Sequence, residues 1–404
     1  MNILFVSPRQ CWPVLSGAKL REYHLARALG RRSDITYVFF SEPRQALPTR
    51  TDLPFCSQIV AVPPPARYSA ARLVRGLLGR WPLPVENYTS ARMTSTIDAL
   101  VARNRFDLVH LDGVHLAAYV AHLHESAPGL RLAVDWHNIE SEGMRRYAEK
   151  GPSAARRIYA AVTSRRLAAV ERMLLRTAFG NLVCSERERR QLLALAPSGA
   201  RIAVIENGVD LARFESHDQA DESPRNRIVF VGAMDYHPNI DAMLAFARRI
   251  WPALFQAFPD WRLTIVGSSP APPVLALAAE PGVEVTGTVA DVRPYYREAF
   301  AAVVPLRMGM GTRLKILEAM AAGVPVVSSS LGAEGLALAP GKDILIADRE
   351  EDWHPLLASL AVPSRRDALV EAGRKLVRSR YDWEILGRAA YEIYEQWTIE
   401  LMRA

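Results

Sequence analysis

Hydrophobic positions along the chain fall into short continuous runs, separated by longer stretches in which they recur every three or four residues. The first half contains the runs "NILFVS", "DITYVFF", "FDLVHLD", "LRLAVDWHN", "NLVCSE" and "RIAVIENGVD". Each is apolar, and each ends in polar or glycine residues, as strands covered on both faces do. Helical stretches separate them. "AKLREYHLARALG" closes on Gly30, and "SAARRIYAAVTSRRLAAVERMLLRTA", residues 153–178, is the most prominent. After a polar, acidic and aperiodic segment, "SHDQADESPRNR" (Ser216 to Arg227), the same grammar restarts. "RIVFVG", a helix around "NIDAMLAFARRIWPALFQAF", "WRLTIVG", "VEVTGTV", "AAVVP", "VPVVSS" and "DILIAD" follow in turn. Strands alternating with helices predict parallel sheets covered on both faces. The expected architecture is α/β: two doubly wound Rossmann-like domains, residues 1–215 and 228–380, facing a central cleft and joined by a linker at 216–227. A helical tract, 381–404, ends the chain.

Composition narrows the setting. Of 404 residues, 50% are hydrophobic and 23% charged, enough for two ordinary cores. No run approaches the roughly 18 apolar residues of a membrane span. "MNILFVSPRQ" enters a strand at once and lacks the layout of a signal peptide. Cys11, Cys56 and Cys184 show neither pairing nor metal spacing, so a cytoplasmic setting is expected. The net charge of +7 favours phosphate or anionic lipid as partner, and no nucleic-acid motif is present. Only five of the 50 basic residues are lysines, so an arginine by itself says little about function.

One stretch carries more chemistry than its surroundings. "RMGMGTRLKILEAMAAGVPVVSS", residues 307–329, is a glycine-containing loop and a helix between two buried strands. In such a unit the loop lies at the carboxyl edge of the sheet, where ligands bind. On a helical wheel Leu314, Leu317 and Ala321, with Ile316 and Met320, form the core stripe, and Lys315, Glu318, Ala319 and Ala322 share the remaining arc. The carboxylate of Glu318 suits a vicinal diol such as a ribose. The loop amides of Gly309, Met310, Gly311 and Thr312, with the helix start, suit a diphosphate, and Arg313 and Lys315 add positive charge. Periodicity alone leaves a plainer alternative open, because Lys315 and Glu318 at i, i+3 also describe a surface ion pair.

The segment "VPLRMGMGTRLKILEAMAAGVPVVSSSLGAEGL" resembles the signature region of family 4 retaining glycosyltransferases, which have the GT-B fold. The likeness extends over nearly the whole chain, through Gly17 at the first helix, "DWHN", "VCSE", "ENGVD", "FVG" and "EAMAAGVPVV". It implies transfer of a sugar from a UDP- or GDP-linked donor with retention, without metal or other cofactor. It also implies that the helix at 381–404 packs back on the first domain, with Trp383 and Trp397 in packing roles. By position, Glu318 matches the carboxylate that holds the ribose, and His137 the histidine that meets the donor sugar. Taken alone, a histidine there is a hydrogen-bonded structural residue. Gly17 matches the glycine that lets the diphosphate and acceptor approach. The resemblance also implies that Gly232 of "FVG" lies at the nucleotide site, and the loop Thr286 to Val292, with Val289, is expected to meet the base through its backbone.

Two departures from the pattern stand out. Met310 occupies the place of the family's first glutamate, and Ala233, after Gly232, the place of an arginine, with no lysine following. Arg313 and Lys315 are expected to take over neutralisation of the diphosphate, so that with His137 they form the catalytic set. His137 would orient the sugar rather than attack it. The acceptor is expected to be a glycan or lipid-linked molecule of bacterial polysaccharide or glycolipid assembly. "ARYSAARLVRGLLGRWPLP", residues 66–84, mixes arginines with leucines and Trp81, as a helix lying on the inner face of an anionic plasma membrane would; an ordinary helix with a solvated face reads the same. His237, Pro238 and Asn239, at the start of a helix in the second domain, are expected as loop and cap residues bordering the cleft. A sugar-nucleotide epimerase and a non-catalytic nucleotide-binding subunit are the competing classes. Neither first βα loop carries the G-x-G-x-x-G of a dehydrogenase.

Overall fold

The computed structural model describes residues 1–14, 17–42, 44–150, 153–215, 226–309 and 311–403, with the backbone alone at 150 and 400–403. Met310 and residues 216–225 of the expected linker lie outside them. The chain forms two compact units, Met1–Glu206 with Leu386–Ala404, and Asn207–Ile385.

The first unit is built on seven parallel strands: β1 (Asn2–Ser7), β2 (Asp34–Phe40), β3 (Gln58–Val62), β4 (Leu108–Asp112), β5 (Leu132–Trp136), β6 (Gly180–Val183) and β7 (Ile202–Val204), in the order β3-β2-β1-β4-β5-β6-β7. Ile3, Leu4, Phe5 and Val6 are wholly buried, which is why these runs are apolar throughout instead of alternating. β3 was not evident in the sequence. It is the edge strand, only half-buried, and its apolar run breaks into "PPP". Strand order reverses between β1 and β4, and ligands of open α/β sheets bind outside the carboxyl ends of the strands at such a switch point. There the register sets Asp112, the last residue of β4, opposite Asp135 of β5.

The second unit has six parallel strands: β8 (Arg227–Val231), β9 (Arg262–Val266), β10 (Val283–Gly287), β11 (Ala299–Val304), β12 (Val326–Ser328) and β13 (Leu345–Ile346), in the order β10-β9-β8-β11-β12-β13. Its switch point lies between β8 and β11, which puts the loops after "FVG" and after "AAVVP" side by side. The expected single helix at "NIDAMLAFARRIWPALFQAF" is interrupted. A helix at His237–Ala245 passes through a π-turn at Phe246–Ile250 into a helix at Trp251–Ala257. Pro252 has no amide hydrogen, and its ring would meet the carbonyl of Arg248 in a regular helix, so the ladder widens there.

The boundary between the units precedes the expected one at residue 215. Asn207 Nδ2 donates to Thr312 Oγ1 (2.5 Å), and Val209 N donates to the Tyr381 carbonyl (2.8 Å). These bonds tie the segment ending in the helix Leu211–Glu215 to the second unit. At the other end, the helix Trp383–Arg403 contributes residues from Leu386 onward to the first unit. Tyr394 Oη lies 2.7 Å from His110 Nδ1, and the Trp397 ring covers Gly180 so closely that a Cβ there would fall 2.2 Å from the ring. Trp383 and Trp397 are both buried. Among the described residues no helix is long and apolar enough to cross a membrane.

Candidate functional site

In the second unit the chain leaves β11, turns through Gly309 and Gly311, and enters the helix Leu314–Ala321 with Arg313 as its N-cap residue. Gly309 and Gly311 have φ of 114° and 78°, values that L-residues with side chains rarely adopt, so these glycines permit the turn. A Cβ on Gly309 would also meet the Arg313 guanidinium at 2.9 Å. Of the helix, Ile316, Leu317, Ala319, Met320 and Ala321 are buried. Ala319 thus belongs to the core, contrary to the wheel, because this short helix is covered on more than one side. Lys315 and Glu318 are half-buried.

Lys315 is held from several sides. Its Nζ donates to Asn239 Oδ1 (3.1 Å) and stands 3.8 Å from the centre of the Phe230 ring. Asn239 is fixed in turn, because its Nδ2 donates to the Ala233 carbonyl (2.8 Å). The ammonium rests against Gly232, where a Cβ would lie 2.7 Å from Nζ and 2.8 Å from Asn239 Nδ2. Burial, and then the charge of Arg313, push the Lys315 ammonium well below its usual pKa, while Glu318 opposes them. Two cations close together in a half-buried place are the environment an anion relieves.

One helical turn on, burial raises the Glu318 carboxyl, and the charges of Arg213 and Lys315 work against the rise. Tyr296 Oη stands 3.5 Å from Glu318 Oε2 and 3.4 Å from the Lys315 carbonyl. Lys315 and Glu318 therefore do not form the plain surface pair that their spacing allows. Thr312 is engaged through its hydroxyl by Asn207. Val289 packs on the core of the second unit beside Gly287, whose φ is 71°.

The first unit gathers charge at its own switch point. The Arg21 guanidinium, on the helix Gly17–Gly30 and wholly buried, donates to both carboxylate oxygens of Asp135 (2.7 and 2.6 Å) and to the Ile205 carbonyl (2.7 Å). Burial would raise the Asp135 carboxyl, but the charge and hydrogen bonds of Arg21 outweigh it and leave it low. His137 Nε2 lies 2.7 Å from Asp112 Oδ1. Burial lowers the His137 imidazole, against the opposing charges of Asp135 and Glu22. Asp112 is pushed up to about 7 by burial and by the charge of Asp135. Glu22 accepts from Ser7 Oγ (2.9 Å) and faces Arg9 Nε at 3.1 Å. Burial first, then Asp112, raise it well above the carboxylate range. Ligand atoms of Glu22, Asp112 and His137 come within 4.8 Å of one another. Within this group His137 Nε2 and Asp112 Oδ1 engage each other, and Arg9 faces Glu22.

The structure thus brings Gly232, Gly309, Gly311, Thr312, Arg313, Lys315 and Glu318 to one edge of the second sheet. His137 stands at the carboxyl end of β5 in the first unit. Gly17 opens the first helix and is exposed. Tyr296 in the second unit, and Glu22, Asp112, Asp135, Arg9 and Arg21 in the first, were not singled out from sequence, and the contact of Asn239 with Lys315 was not foreseen. His237, Pro238 and Asn239 are the first residues of a helix whose N-cap is Tyr236, so they are helical and not the loop and cap residues expected, and Asn239 is buried with its amide at Lys315. For Asp112 and Asp135 a signal was there: an acid at the carboxyl end of an otherwise apolar buried strand seldom stands there without a partner.

The family profile described as Glycosyltransferase Family 4 matches residues 16–213, and the profile described as Glycosyl transferases group 1 matches residues 225–360. Among curated proteins the chain is similar to a phosphatidyl-myo-inositol mannosyltransferase of Mycobacterium tuberculosis. The two are 31% identical over 233 residues, which cover 54% of this chain and 59% of that one. The chain spans only 57% to 59% of the length of the first curated relatives it matches. Among solved structures, sucrose-phosphate synthase from Thermosynechococcus elongatus superposes with a TM-score of 0.73 at 20% identity, covering 98% of each chain. Anabaena HepE in complex with UDP gives 0.68 at 14% identity, covering 98% of this chain and 100% of the other. The two Rossmann-like sheets are those of the GT-B fold, and with profiles of this class across both units the chain belongs to the family 4 glycosyltransferases.

Proposed function

We propose that the chain transfers a sugar, with retention, from a UDP- or GDP-linked donor to a glycan or lipid-linked acceptor in bacterial polysaccharide or glycolipid assembly. The observation that carries this reading is the placement of Lys315 against Gly232, beside Arg313 and the glycine turn. The leaving nucleoside diphosphate gathers negative charge as the glycosidic bond breaks, and preorganised cations and amides at that place lower the barrier. Lys315 approaches the end of β8 from a different element than the family's usual cations, which supports replacement of the missing basic residues. Glu318 is assigned to the ribose, Val289 and its loop to the base, and His137 to the donor sugar. The nucleotide sugar enters as substrate, and no cofactor is assigned. Support also comes from HepE, a fold neighbour solved with UDP.

Residues 66–84 are proposed to meet the membrane. The helix Ala70–Leu78 leaves Leu73, Val74, Leu77 and Leu78 exposed, the last by 83%, with Arg75 and Arg80 exposed as well. Arg72 is taken from that face, since it is buried near Glu86. An apolar stripe flanked by arginines suits an anionic bilayer surface at the cytoplasmic face.

Calorimetric titration of UDP and GDP into the wild type and Glu318→Ala tests the central reading. One nucleotide should bind, and the variant should lose most of that affinity. Absence of binding by either nucleotide to the wild type would remove the basis for donor recognition. Flotation with anionic and neutral vesicles tests the membrane contact, which should require the anionic lipid and weaken in Leu77→Ser/Leu78→Ser.

A further inference from the structure

His137 has two ring nitrogens, and the fold treats them differently. Nε2 points to the wholly buried Asp112 carboxylate at 2.7 Å. Nδ1 bonds to none of the described residues and is not among the buried atoms, while the side chain keeps 17% of its surface open. A neutral imidazole has one donor and one acceptor, and the partner of one nitrogen decides the role of the other.

Behind Asp112 stands Glu22. Glu22 Oε1 and Asp112 Oδ2 are both buried, and neither finds a hydrogen-bond donor among the described residues. Arg9 Nε approaches Glu22 Oε1 to 3.1 Å but is not aligned as a donor. Two buried acceptors left this way cost free energy unless something donates between them. A single proton on Glu22, given to Asp112, satisfies both. The charge count agrees: three carboxyls (Glu22, Asp112, Asp135) face two guanidiniums (Arg9, Arg21), so one proton makes the group neutral while His137 stays uncharged.

We propose that Asp112, steadied by a protonated Glu22, is the positioning residue that fixes His137 with Nε2–H inward and Nδ1 outward as a hydrogen-bond acceptor. The outward nitrogen then selects a ligand group that donates, a sugar hydroxyl, and rejects one that only accepts, such as a phosphate oxygen. The choice of a sugar hydroxyl rests on the glycosyltransferase reading; the ring orientation does not.

The experiment is long-range 1H–15N correlation of the histidine side chains in the uniformly labelled full chain near neutral pH, with His137→Gln used to assign the ring. The wild type should show Nε2 protonated and Nδ1 unprotonated. Asp112→Asn, which can turn an amide donor toward Nε2, should move the ring to the other tautomer or to a mixture. It should also lower kcat for the nucleotide sugar by roughly 10- to 100-fold, the worth of one hydrogen bond to a charged group, with a smaller change in KM. Glu22→Gln keeps a donor to Asp112 and should retain the wild-type tautomer. A protonated Nδ1 or an imidazolium in the wild type overturns the proposal, as does an unchanged tautomer in folded Asp112→Asn or a switched one in Glu22→Gln. Because the tautomer is read without donor, a ring oriented as stated in a protein that turns over no nucleotide sugar would count against the glycosyltransferase reading alone.

Discussion

The ammonium of Lys315 occupies the space that any side chain at position 232 would need: a Cβ on Gly232 would stand 2.7 Å from Nζ. The glycine at the end of β8 and the lysine of the 314–321 helix are therefore one device. The first makes room, and the second fills it with charge. Gly232→Ala should displace Lys315 and Asn239 while leaving the strand intact, since position 232 lies outside β8. The expected loss in affinity for a nucleoside diphosphate is on the order of tenfold or more, one charge-assisted contact, with an unchanged unfolding midpoint. Calorimetry beside denaturant unfolding checks both parts.

The same placement gives binding a pH dependence of known sign. Burial and Arg313 hold the free Lys315 ammonium well below its usual value, and a bound diphosphate would raise it again. Between those two values binding takes up a proton, so affinity weakens as pH rises. For folding, the lowered value means that the native chain holds fewer protons than the unfolded one, so this lysine costs most stability at low pH and the cost fades as pH rises toward the ordinary lysine value. Titrations in buffers of different ionisation enthalpy should reveal the proton uptake in the wild type, and Lys315→Met should abolish it.

Glu318 and the glycine loop divide the nucleotide between them. Removing the carboxylate should affect a ligand with a ribose and spare one without it. Glu318→Ala should bind inorganic pyrophosphate as the wild type does and bind the preferred nucleoside diphosphate roughly 10- to 100-fold more weakly. A parallel loss for both ligands would mean that Glu318 acts by holding Lys315 and not by contacting ribose.

Stability of the first unit should depend on the far end of the chain. Trp397 covers Gly180 with no room for a methyl group. Gly180→Ala should cost about 1–3 kcal/mol through overpacking, and Trp397→Ala about 3–5 kcal/mol through the lost contacts and the cavity. Urea unfolding followed by far-ultraviolet circular dichroism gives both figures. An effect below ~0.5 kcal/mol for Trp397→Ala would show that the terminal helix is not part of that core.

The strand runs, the helix between "AAVVP" and "VPVVSS", and the conjunction of Gly309, Gly311, Arg313, Lys315 and Glu318 were legible in the sequence because they are local. A fully buried strand is apolar throughout, a tight turn shows its glycines, and a helix repeats every 3.6 residues. The exposed helix inside residues 66–84 was legible for the same reason. What stayed hidden depends on partners far apart in the chain. Nothing near Gly232 announces that Lys315 will lie against it, because the two meet only once β8 and β11 pair as neighbours at the switch point. The segment after Glu206 reads as the end of one domain until Val209 bonds to Tyr381. Asp112 and Asp135 sit in different strands, and only the parallel register sets them side by side. Sequence determined which elements form and which residue types are available for chemistry. Tertiary structure alone decided which charges share a buried space, since burial and proximity, not residue identity, set what a lysine, a glutamate or a histidine can do.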